Sequence, residues 1–520
     1  MTVCLAPQPA DAAGARASLV LAGGGMRVAW QAGVVKALAE SGRRFHHIDG
    51  TSGGTMTLAM ILSGLDADEI CRRWRTLRVR DFASLPTLKQ ILAGAPRMGW
   101  GTDRGIRESV FPALGISIDK IRQATELAGT FNVCNFSRKT NETIAHADID
   151  LDRLVAGISL PIFMPPIRIA GDWYTDSVWV KDANLMEAVK RGAEEIWLVW
   201  CIGNSREYRR GAFNQYVHMI EMSANGVLFE ELDRIRDINA RIAAGETVGG
   251  RTRPIRLHVI KPEVPLPLDP DLYLGRISTG ALVDLGYADA LRYLATARPE
   301  GVPLTPDATA MREPGTGVAF GETMAGPFAF GSTDPVDGAR AGAARGTTLA
   351  LHARIAINDL DAFIGDPEHE GRITADVDVP GFGTAIPGTA GVFKLFAPTP
   401  DPGVTWMVYE TAFRHDGRDY YLAGRKHVGG GHPLSAVWRD TTTLFTRLHD
   451  GRDASAPVIG AGVLRLSVGQ LVSLVRTFST TGVDLFGERL RTAGAFGGFF
   501  TTQLRESYLA PNGRDGQRHG

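Results

Sequence analysis

The stretch His47-Ile48-Asp49-Gly50-Thr51-Ser52-Gly53-Gly54-Thr55 decides the fold of the first half of the chain. Its spacing Gly50-x-Ser52-x-Gly54 is that of a nucleophile elbow, in which a strand enters, turns sharply at the serine and continues into a helix. Residues 45–49 are predicted to form the entering strand and residues 55–62 the apolar helix that follows. The glycines suit such a turn, because side chains there would clash with the strand and the helix. The pattern predicts an α/β fold with Ser52 as a candidate nucleophile.

Composition limits the class of protein. The 520 residues are 44% hydrophobic and 22% charged, with a formal net charge of -1. These values predict a globular protein of at least two domains and no general attraction for nucleic acid. The four cysteines are widely spaced, without a CxxC pair or a Cys/His cluster. Neither a disulfide scaffold nor a metal site is therefore expected, and a reducing compartment fits best.

The sequence also bears on the relation to membranes. The N-terminus shows no signal-peptide pattern, and no apolar run approaches the roughly 18 residues of a spanning helix. We therefore expect a cytoplasmic protein whose membrane contact is at most peripheral. The oligomeric state is not indicated.

A second glycine-rich turn precedes the elbow. Residues 17–22 are apolar, as in a buried parallel strand, and a helix is predicted over residues 30–38. Between them lies Gly23-Gly24-Gly25-Met26-Arg27. Backbone N–H groups converge with the positive end of the dipole where a helix begins, so this loop is a candidate anion site.

Two common types of phosphate-binding loop are excluded because the glycine loop lacks their motifs. Val28 stands where a dinucleotide fingerprint would need its third glycine, and the Gly-Lys-Ser/Thr ending of a phosphate-binding loop is missing. An oxyanion hole, which holds the charge that develops on a carbonyl oxygen during acyl transfer, fits the pattern. An ordinary tight turn between a strand and a helix fits it equally well.

Taken together, the glycine loop and the elbow resemble the patatin-like phospholipase family, whose motifs are GGGxRG followed by G-x-S-x-G. The resemblance implies a lipid acyl hydrolase that uses a Ser–Asp dyad without a histidine, a metal or another cofactor. It implies that Ser52 is the nucleophile and that loop N–H groups hold the oxyanion. The candidate oxyanion residues are Gly23, Gly24, Gly25, Met26 and Arg27. Val28 departs from the family motif, which has a glycine there.

The resemblance also implies a catalytic aspartate, just after a small-residue helix and a proline-rich turn such as residues 154–166. Asp176 occupies that position, where a carboxylate acts as general base for the serine hydroxyl and later gives the proton to the leaving group. The family pattern Asp-Gly-Gly/Ala reads Asp176-Ser177-Val178 here, which puts the local turn in question. Asp172 and Asp182 are competing carboxylates.

A helix after the elbow carries a basic face. It begins with the capping pair Asp66 and Glu69, and its arginines lie opposite its apolar residues. Such a face is suited to anionic lipid headgroups, but a solvated helix surface is the commoner explanation. The arginines are Arg72, Arg73, Arg75 and Arg78. Further elements predicted for this domain are a long helix over residues 213–244, a strand over residues 255–260 and a helix from residue 280.

Beyond residue 298 the spacing of apolar residues changes from a repeat of about 3.6 residues, typical of helices, to a repeat of about 2, typical of strands. Residues 299–317 are rich in Pro, Gly and Thr and are predicted to be a linker. After it, apolar and polar residues alternate, for example over residues 349–357, and Asp416-Gly417 is a hairpin signal. A β-rich domain, barrel or sandwich, is therefore predicted over residues 318–510, with one late helix. The residues that mark this helix are Leu471, Leu474, Val475 and Phe478.

Parts of this second half resemble a domain appended to some cholesterol-oxidase-like (glucose–methanol–choline) flavoenzymes. The matching segments are residues 320–326, 391–396 and 440–444. The resemblance implies lipid or sterol binding. No catalytic group is indicated, and Gly429-Gly430-Gly431 is interpreted as a hairpin loop.

Three alternative functions stay open. A Ser-His-Asp triad would need a histidine after Asp176, but those that follow lie in a helix, in a strand and in the second domain: His218, His258 and His352. His46 and His47 precede the elbow on its strand and are interpreted as structural. An acyltransferase or thioesterase would use the same dyad with another acyl acceptor. A non-catalytic lipid-binding protein is favoured by the departures at Val28 and Ser177.

The sequence thus predicts an α/β fold, with a patatin-like parallel-sheet sandwich followed by a β-rich domain. Its predicted function is that of a lipid acyl hydrolase acting on lipid esters. The predicted divisions are a tail (1–16), the patatin-like domain (17–298), a linker (299–317), the β-rich accessory domain (318–510) and a second tail (511–520).

Overall fold

The computed structural model describes residues 16–77, 102–204, 208, 210–266, 277–312, 315–401, 404–429, 436–467, 469–470, 477–483 and 486–509. The chain divides into two compact units, Met1–Glu313 and Pro314–Gly520, and this division falls inside the predicted linker. Several predictions concern residues outside the described ranges. The residues concerned are 1–15, which include Cys4, and 511–520 of the two predicted tails, together with Arg78, Gly430, Gly431, Leu471, Leu474 and Val475.

One mixed sheet forms the framework of the first unit in its described residues. Its strands are β1 (Ala17–Leu21), β2 (His47–Thr51), β3 (Ala128–Asn135), β4 (Thr140–Ala145), β5 (Ile167–Ile169), β6 (Asp172–Thr175), β7 (Glu195–Val199) and β8 (Arg256–Ile260). The order is β5-β6-β3-β2-β1-β7-β8, with β4 also paired to β3. In this order, the five neighbouring strands β3, β2, β1, β7 and β8 run parallel to one another. The strands β4, β5 and β6 pair antiparallel.

Helices cover both faces of this sheet because its central strands are apolar on both sides. In β1, Leu19 and Leu21 join one buried cluster, whereas Val20 joins another with residues of β7 and β8. Successive side chains of a strand point to opposite faces, so two cores flank the sheet. The predicted sandwich around a parallel sheet is confirmed for the central strands, and the antiparallel edge was not foreseen.

The helices lie between and after these strands. Those next to the glycine-rich turns are α1 (Ala29–Glu40), α2 (Gly53–Leu62) and α3 (Ala67–Thr76), and a 3-10 turn, Gly25–Val28, precedes α1. The remaining α-helices of this unit in the described residues are Phe111–Leu114, Ile118–Gln123, Leu151–Ala156, Leu185–Lys190, Ala212–Ala243 and Thr279–Thr296. The turn at the elbow is shorter than predicted, since the strand ends at Thr51 instead of Asp49 and the helix begins at Gly53 instead of Thr55.

The second unit is a closed antiparallel barrel. Its strands are β9 (Gly317–Phe330), β10 (Thr348–Ile357), β11 (Glu370–Val379), β12 (Gly383–Pro398), β13 (Val404–His415), β14 (Arg418–Gly429), β15 (Thr443–His449), β16 (Val458–Arg465) and β17 (Ser479–Thr481). They pair in sequence from β10 to β16, and β9 pairs with both β10 and β16. This double pairing closes the sheet, while β17 pairs with the first residues of β9, Gly317 to Ala319. Of the two predicted architectures, the structure adopts the barrel.

Alternation builds the core of the barrel. The predicted apolar residues of β10, from Leu349 to Ile357, are buried at every second position. Asp416 and Gly417 both have positive φ in the turn between β13 and β14, as a two-residue type I′ hairpin requires, so this prediction is confirmed.

Four helices in the described residues of the second unit were not predicted. They are Pro335–Arg345, Leu360–Gly365, Val437–Thr442 and Phe486–Leu509. The last of them packs phenylalanines such as Phe496 and Phe499 against the barrel core. Residues of the predicted linker also pack, since Ala308 is buried in the first unit with Val302 and Leu304 nearby.

Candidate active site

Ser52 lies at the turn between β2 and α2. Its backbone angles are φ 51° and ψ -127°, a region that residues with a side chain rarely adopt. Close packing explains the glycines around it: a Cβ on Gly54 would lie 2.2 Å from the Leu21 carbonyl oxygen, and one on Gly50 would lie 2.9 Å from the Gly54 oxygen. The sharp turn presents the serine side chain while β1 and α2 approach each other closely.

The Ser52 hydroxyl donates a hydrogen bond to Asp176. The distance from Oγ to Oδ2 is 2.7 Å, across 124 residues of sequence. The other carboxylate oxygen, Oδ1, accepts the Val178 N–H at 2.9 Å. Both side chains are buried, with residue exposures of 5% for Ser52 and 1% for Asp176. A hydroxyl held by a buried carboxylate is the arrangement that activates a serine nucleophile.

The β5–β6 hairpin brings Asp176 to the serine. Strand β6 ends at Thr175 and pairs antiparallel with β3, which lies beside β2. The Ser159 carbonyl then accepts the Asp176 N–H at 3.1 Å and the Thr175 hydroxyl at 2.6 Å. Asp176 is therefore fixed by sheet pairing on one side and by the turn after helix Leu151–Ala156 on the other.

Burial controls the ionisation of Asp176. Loss of solvation raises its pKa to about 7, and hydrogen bonds from Ser52, Val178 and Ser177 oppose this rise. A carboxyl group with a pKa near neutrality is suited to general base catalysis, because it takes up and returns a proton at the working pH.

The glycine loop contacts the elbow. Gly24 and Gly25 have φ values of 155° and 60°. The Gly24 carbonyl accepts the Arg27 side-chain Nε–H at 3.0 Å and the Arg27 backbone N–H at 3.2 Å. A Cβ on Gly23 would lie 2.8 Å from the Ser52 Cβ, and one on Gly53 would lie 3.0 Å from the Gly25 oxygen. The loop thus lies directly beside Ser52.

The predicted oxyanion residues differ in what their N–H groups do. The Gly23 N–H is engaged by Asp182, at 3.2 Å to each carboxylate oxygen, and the Arg27 N–H by the Gly24 carbonyl. Among the described residues, the N–H groups of Gly24 and Gly25 have no hydrogen-bond acceptor. These two N–H groups are therefore available to donate hydrogen bonds.

The two competing carboxylates lie elsewhere. Asp172 accepts hydrogen bonds at 3.1 Å from Asn135 and Arg138, at the other end of β6. Asp182 is buried against the glycine loop through Gly23 rather than against the serine hydroxyl. Of the three, the structure brings Asp176 to Ser52.

The departures at Ser177 and Val28 are accommodated. Ser177 is buried, does not have a positive φ, and donates its hydroxyl to Asn141 Oδ1. Its carbonyl accepts the N–H groups of Val180 and Lys181 at 2.8 and 2.7 Å. Val28 packs on the elbow, where a Cβ on Gly53 would lie 2.3 Å from its Cγ1. Both residues are fully buried, and neither has a positive φ.

A buried polar network supports the strand that enters the elbow. Burial raises the pKa of Asp49 in β2 to about 8, although Thr130 and Asn132 donate hydrogen bonds to it at 2.5 and 2.6 Å. Burial lowers the pKa of His47 to about 3, and its Nε2 is hydrogen-bonded to Thr130 at 2.8 Å. His46 bonds to the carbonyls of Ala17 and Arg191. These partners give both histidines structural roles.

The remaining predicted candidates have other interaction partners. No histidine in the described ranges hydrogen-bonds to Ser52. The arginines of α3 are paired within the protein: Arg72 and Arg73 with Glu69, and Arg75 with Asp284. The described part of the chain contains no group of three or more His, Cys, Asp or Glu side chains arranged for a metal ion.

No helix in the described part is both long and apolar enough to cross a bilayer.

Two features of the site were missed in the sequence. One is the N–H of Gly53, the residue after Ser52 at the beginning of α2; in nucleophile elbows the N–H at this position often contributes to an oxyanion hole. The elbow motif itself was the signal for it. The other is the contact of Asp182 with the glycine loop, for which no local pattern exists because the residues are 159 positions apart.

Fold and site together define an α/β domain with a buried Ser–Asp pair beside a glycine loop. Residues 19–189 match the family model described as patatin-like phospholipase, a segment that carries both Ser52 and Asp176. A comparison with curated proteins gives no match.

Solved structures give distant similarities. VipD from Legionella pneumophila is 13% identical with a TM-score of 0.29, covering 54% of this chain and 67% of that one. The type III effector protein ExoU is 11% identical with a TM-score of 0.19, covering 58% and 77%. ExoU in complex with SpcU from Pseudomonas aeruginosa is 13% identical with a TM-score of 0.17, covering 56% and 76%. TM-scores this low do not establish a common fold.

Proposed function

We propose that the first unit is a lipid acyl hydrolase that cleaves carboxylic esters through Ser52 and Asp176. The observation that carries this proposal is the 2.7 Å hydrogen bond from the Ser52 hydroxyl to the buried Asp176 carboxylate. The family match over residues 19–189 supports a lipid substrate. A protein that only bound lipid would have no need of this hydrogen bond beside a strained serine.

The chemistry follows from the geometry. Ser52 Oγ attacks the ester carbonyl while Asp176 takes the hydroxyl proton and then gives it to the leaving alcohol. The N–H groups of Gly24 and Gly25 hold the oxyanion of the tetrahedral intermediate, together with that of Gly53. Asp176 next takes a proton from the water that attacks the acyl-enzyme and gives it to Ser52 Oγ as the acid leaves. An alcohol or thiol in place of this water would give an acyltransferase reaction, and a thioester in place of the ester substrate would give a thioesterase reaction.

Labelling with a fluorophosphonate probe tests the proposal. We expect the 520-residue chain to be labelled, Ser52→Ala to lose labelling completely, and Asp176→Asn to label at least about 100-fold more slowly, because the serine then lacks its base. Asp172→Asn is the matched control, since that carboxylate lies on the same hairpin without contacting Ser52. Absence of labelling in the folded wild-type protein would reject the proposal in favour of a lipid-binding protein.

A further inference from the structure

Asp182 is a buried carboxyl group that the proposed reaction does not use. Both of its oxygens lie 3.2 Å from the Gly23 nitrogen, and the side chain has no exposed surface. A Cβ on Gly23 would lie 2.2 Å from Asp182 Oδ1 and 2.8 Å from the Ser52 Cβ. The first peptide of the glycine loop is thus enclosed between Asp182 and the nucleophile.

Asp182 is itself held on both sides along the chain. Before it, the N–H groups of Val180 and Lys181 donate to the Ser177 carbonyl, and the Lys181 side chain pairs with Glu231. After it, Asn184 caps the helix Leu185–Lys190 by accepting the Glu187 N–H at 3.1 Å. The carboxyl group therefore has a fixed position against which the loop is anchored.

The same short segment carries the proposed base. Asp176 and Asp182 are six positions apart, one on the Ser52 hydroxyl and the other on the Gly23 N–H. We propose, on the basis of the function proposed above, that Asp182 is a positioning residue: it anchors the Gly23 peptide and so keeps the Gly24 and Gly25 N–H groups beside Ser52. One rigid segment then places the base and the oxyanion donors relative to each other.

The charge of Asp182 matters for this role. Burial raises its pKa well above the ordinary range, and the neighbouring Asp176 raises it further, while the Gly23 N–H and Arg27 lower it. A neutral carboxyl group still accepts a hydrogen bond through its carbonyl oxygen and does not repel an oxyanion. Once ionised, it would oppose the charge that develops beside the loop.

Steady-state hydrolysis of p-nitrophenyl butyrate by the full chain tests the proposal, with active sites counted by fluorophosphonate titration. We expect Asp182→Ala to lower kcat by about 10- to 100-fold with little change in KM, because displaced donors stabilise the transition state less well. Asp182→Asn retains an accepting oxygen and is expected to keep most of kcat. Asp172→Ala is the control and should leave both constants unchanged.

The split between kcat and KM, together with rescue by the conservative variant, supplies a readout that a purely structural role would not move. Asp182→Leu fills a similar volume without an accepting oxygen and is expected to lower kcat as Asp182→Ala does, so the test stands even if Asp182→Ala does not fold. A wild-type kcat per active site in Asp182→Ala or Asp182→Leu, or a loss in Asp182→Asn as large as in these variants, would overturn the positioning role alone. A wild-type protein without any Ser52-dependent hydrolysis would instead reject the proposed function.

Discussion

At the scale of single residues, strain and burial concentrate at two positions. Ser52 has a φ of 51°, and Asp176 is a carboxyl group that is almost completely buried. Both features cost stability, since a strained side-chain residue and a desolvated carboxylate are each unfavourable in a folded protein. Their direct hydrogen bond explains why the two unfavourable positions occur together.

The pKa of Asp176 predicts the pH dependence of the proposed hydrolysis. The base must be ionised to accept the serine proton, and burial raises its pKa to about 7. The rate is therefore expected to be high above this pH and to fall about tenfold per pH unit below it. Measurement of kcat/KM for p-nitrophenyl butyrate between pH 5 and 9 checks this. A rate that stays level down to pH 5 would show that Asp176 is not the base.

At the scale of elements, glycines let the strands and helices around the elbow approach each other. A Cβ on Gly54 would lie 2.2 Å from the Leu21 carbonyl oxygen, a contact of α2 with the end of β1. Backbone atoms on both sides of this contact belong to buried elements and have little room to move. The elbow therefore depends on the absence of a side chain at Gly54.

We expect Gly54→Ala to lower the free energy of unfolding of the first unit by about 1–3 kcal/mol, because the added methyl group forces α2 away from β1. The matched control is Gly226→Ala in the helix Ala212–Ala243, where a Cβ would meet no atom within 4 Å. That change should raise stability slightly, by about 1 kcal/mol, through better helix propensity. Calorimetric melting of the full-length variants compares them, and equal melting would contradict the packing argument.

At the scale of the whole molecule, two units have separate cores. The first has apolar clusters on both faces of its sheet, and the second has one cluster inside its barrel. The barrel core also holds a polar group of three: Lys426 lies 3.2 Å from both Glu322 and the Tyr409 hydroxyl. The function of the barrel, for which the sequence suggests lipid or sterol binding, stays a prediction.

Lys426→Ala tests the importance of this buried pair for the second unit. Removal of the Lys426 ammonium group leaves Glu322 buried without its charged partner. This is expected to lower the free energy of unfolding of the second unit by about 3–5 kcal/mol. Arg340→Ala is the control, because its pair with Asp337 is exposed and should contribute less than about 1 kcal/mol. We expect calorimetry to show the loss in the barrel transition while fluorophosphonate labelling of Ser52 persists. Equal effects of the two substitutions would contradict the assignment of the pair to the core.

Local patterns in the sequence were enough to predict several elements. Glycine spacing located the elbow at Ser52, and apolar runs located β1 and β8, because backbone sterics and burial act over a few neighbouring residues. Alternation predicted a β-rich second half, but the closure of the sheet requires β9 to pair with both β10 and β16. The pairing of β9 with β16 joins strands that lie more than a hundred residues apart in sequence, and the alternation of one strand contains no information about it.

The arrangement of the site depended on the tertiary structure in the same way. The sequence offered Asp172, Asp176 and Asp182 as carboxylates, and motif resemblance alone favoured the second. Pairing of β6 with β3 brings Asp176 to Ser52 across 124 residues, and Asp182 reaches Gly23 across 159. Sequence by itself determined which residue types and turns are present. Only the packing of distant strands decided which carboxyl group meets the serine and which N–H groups stay available, because those distances are set by contacts between remote segments.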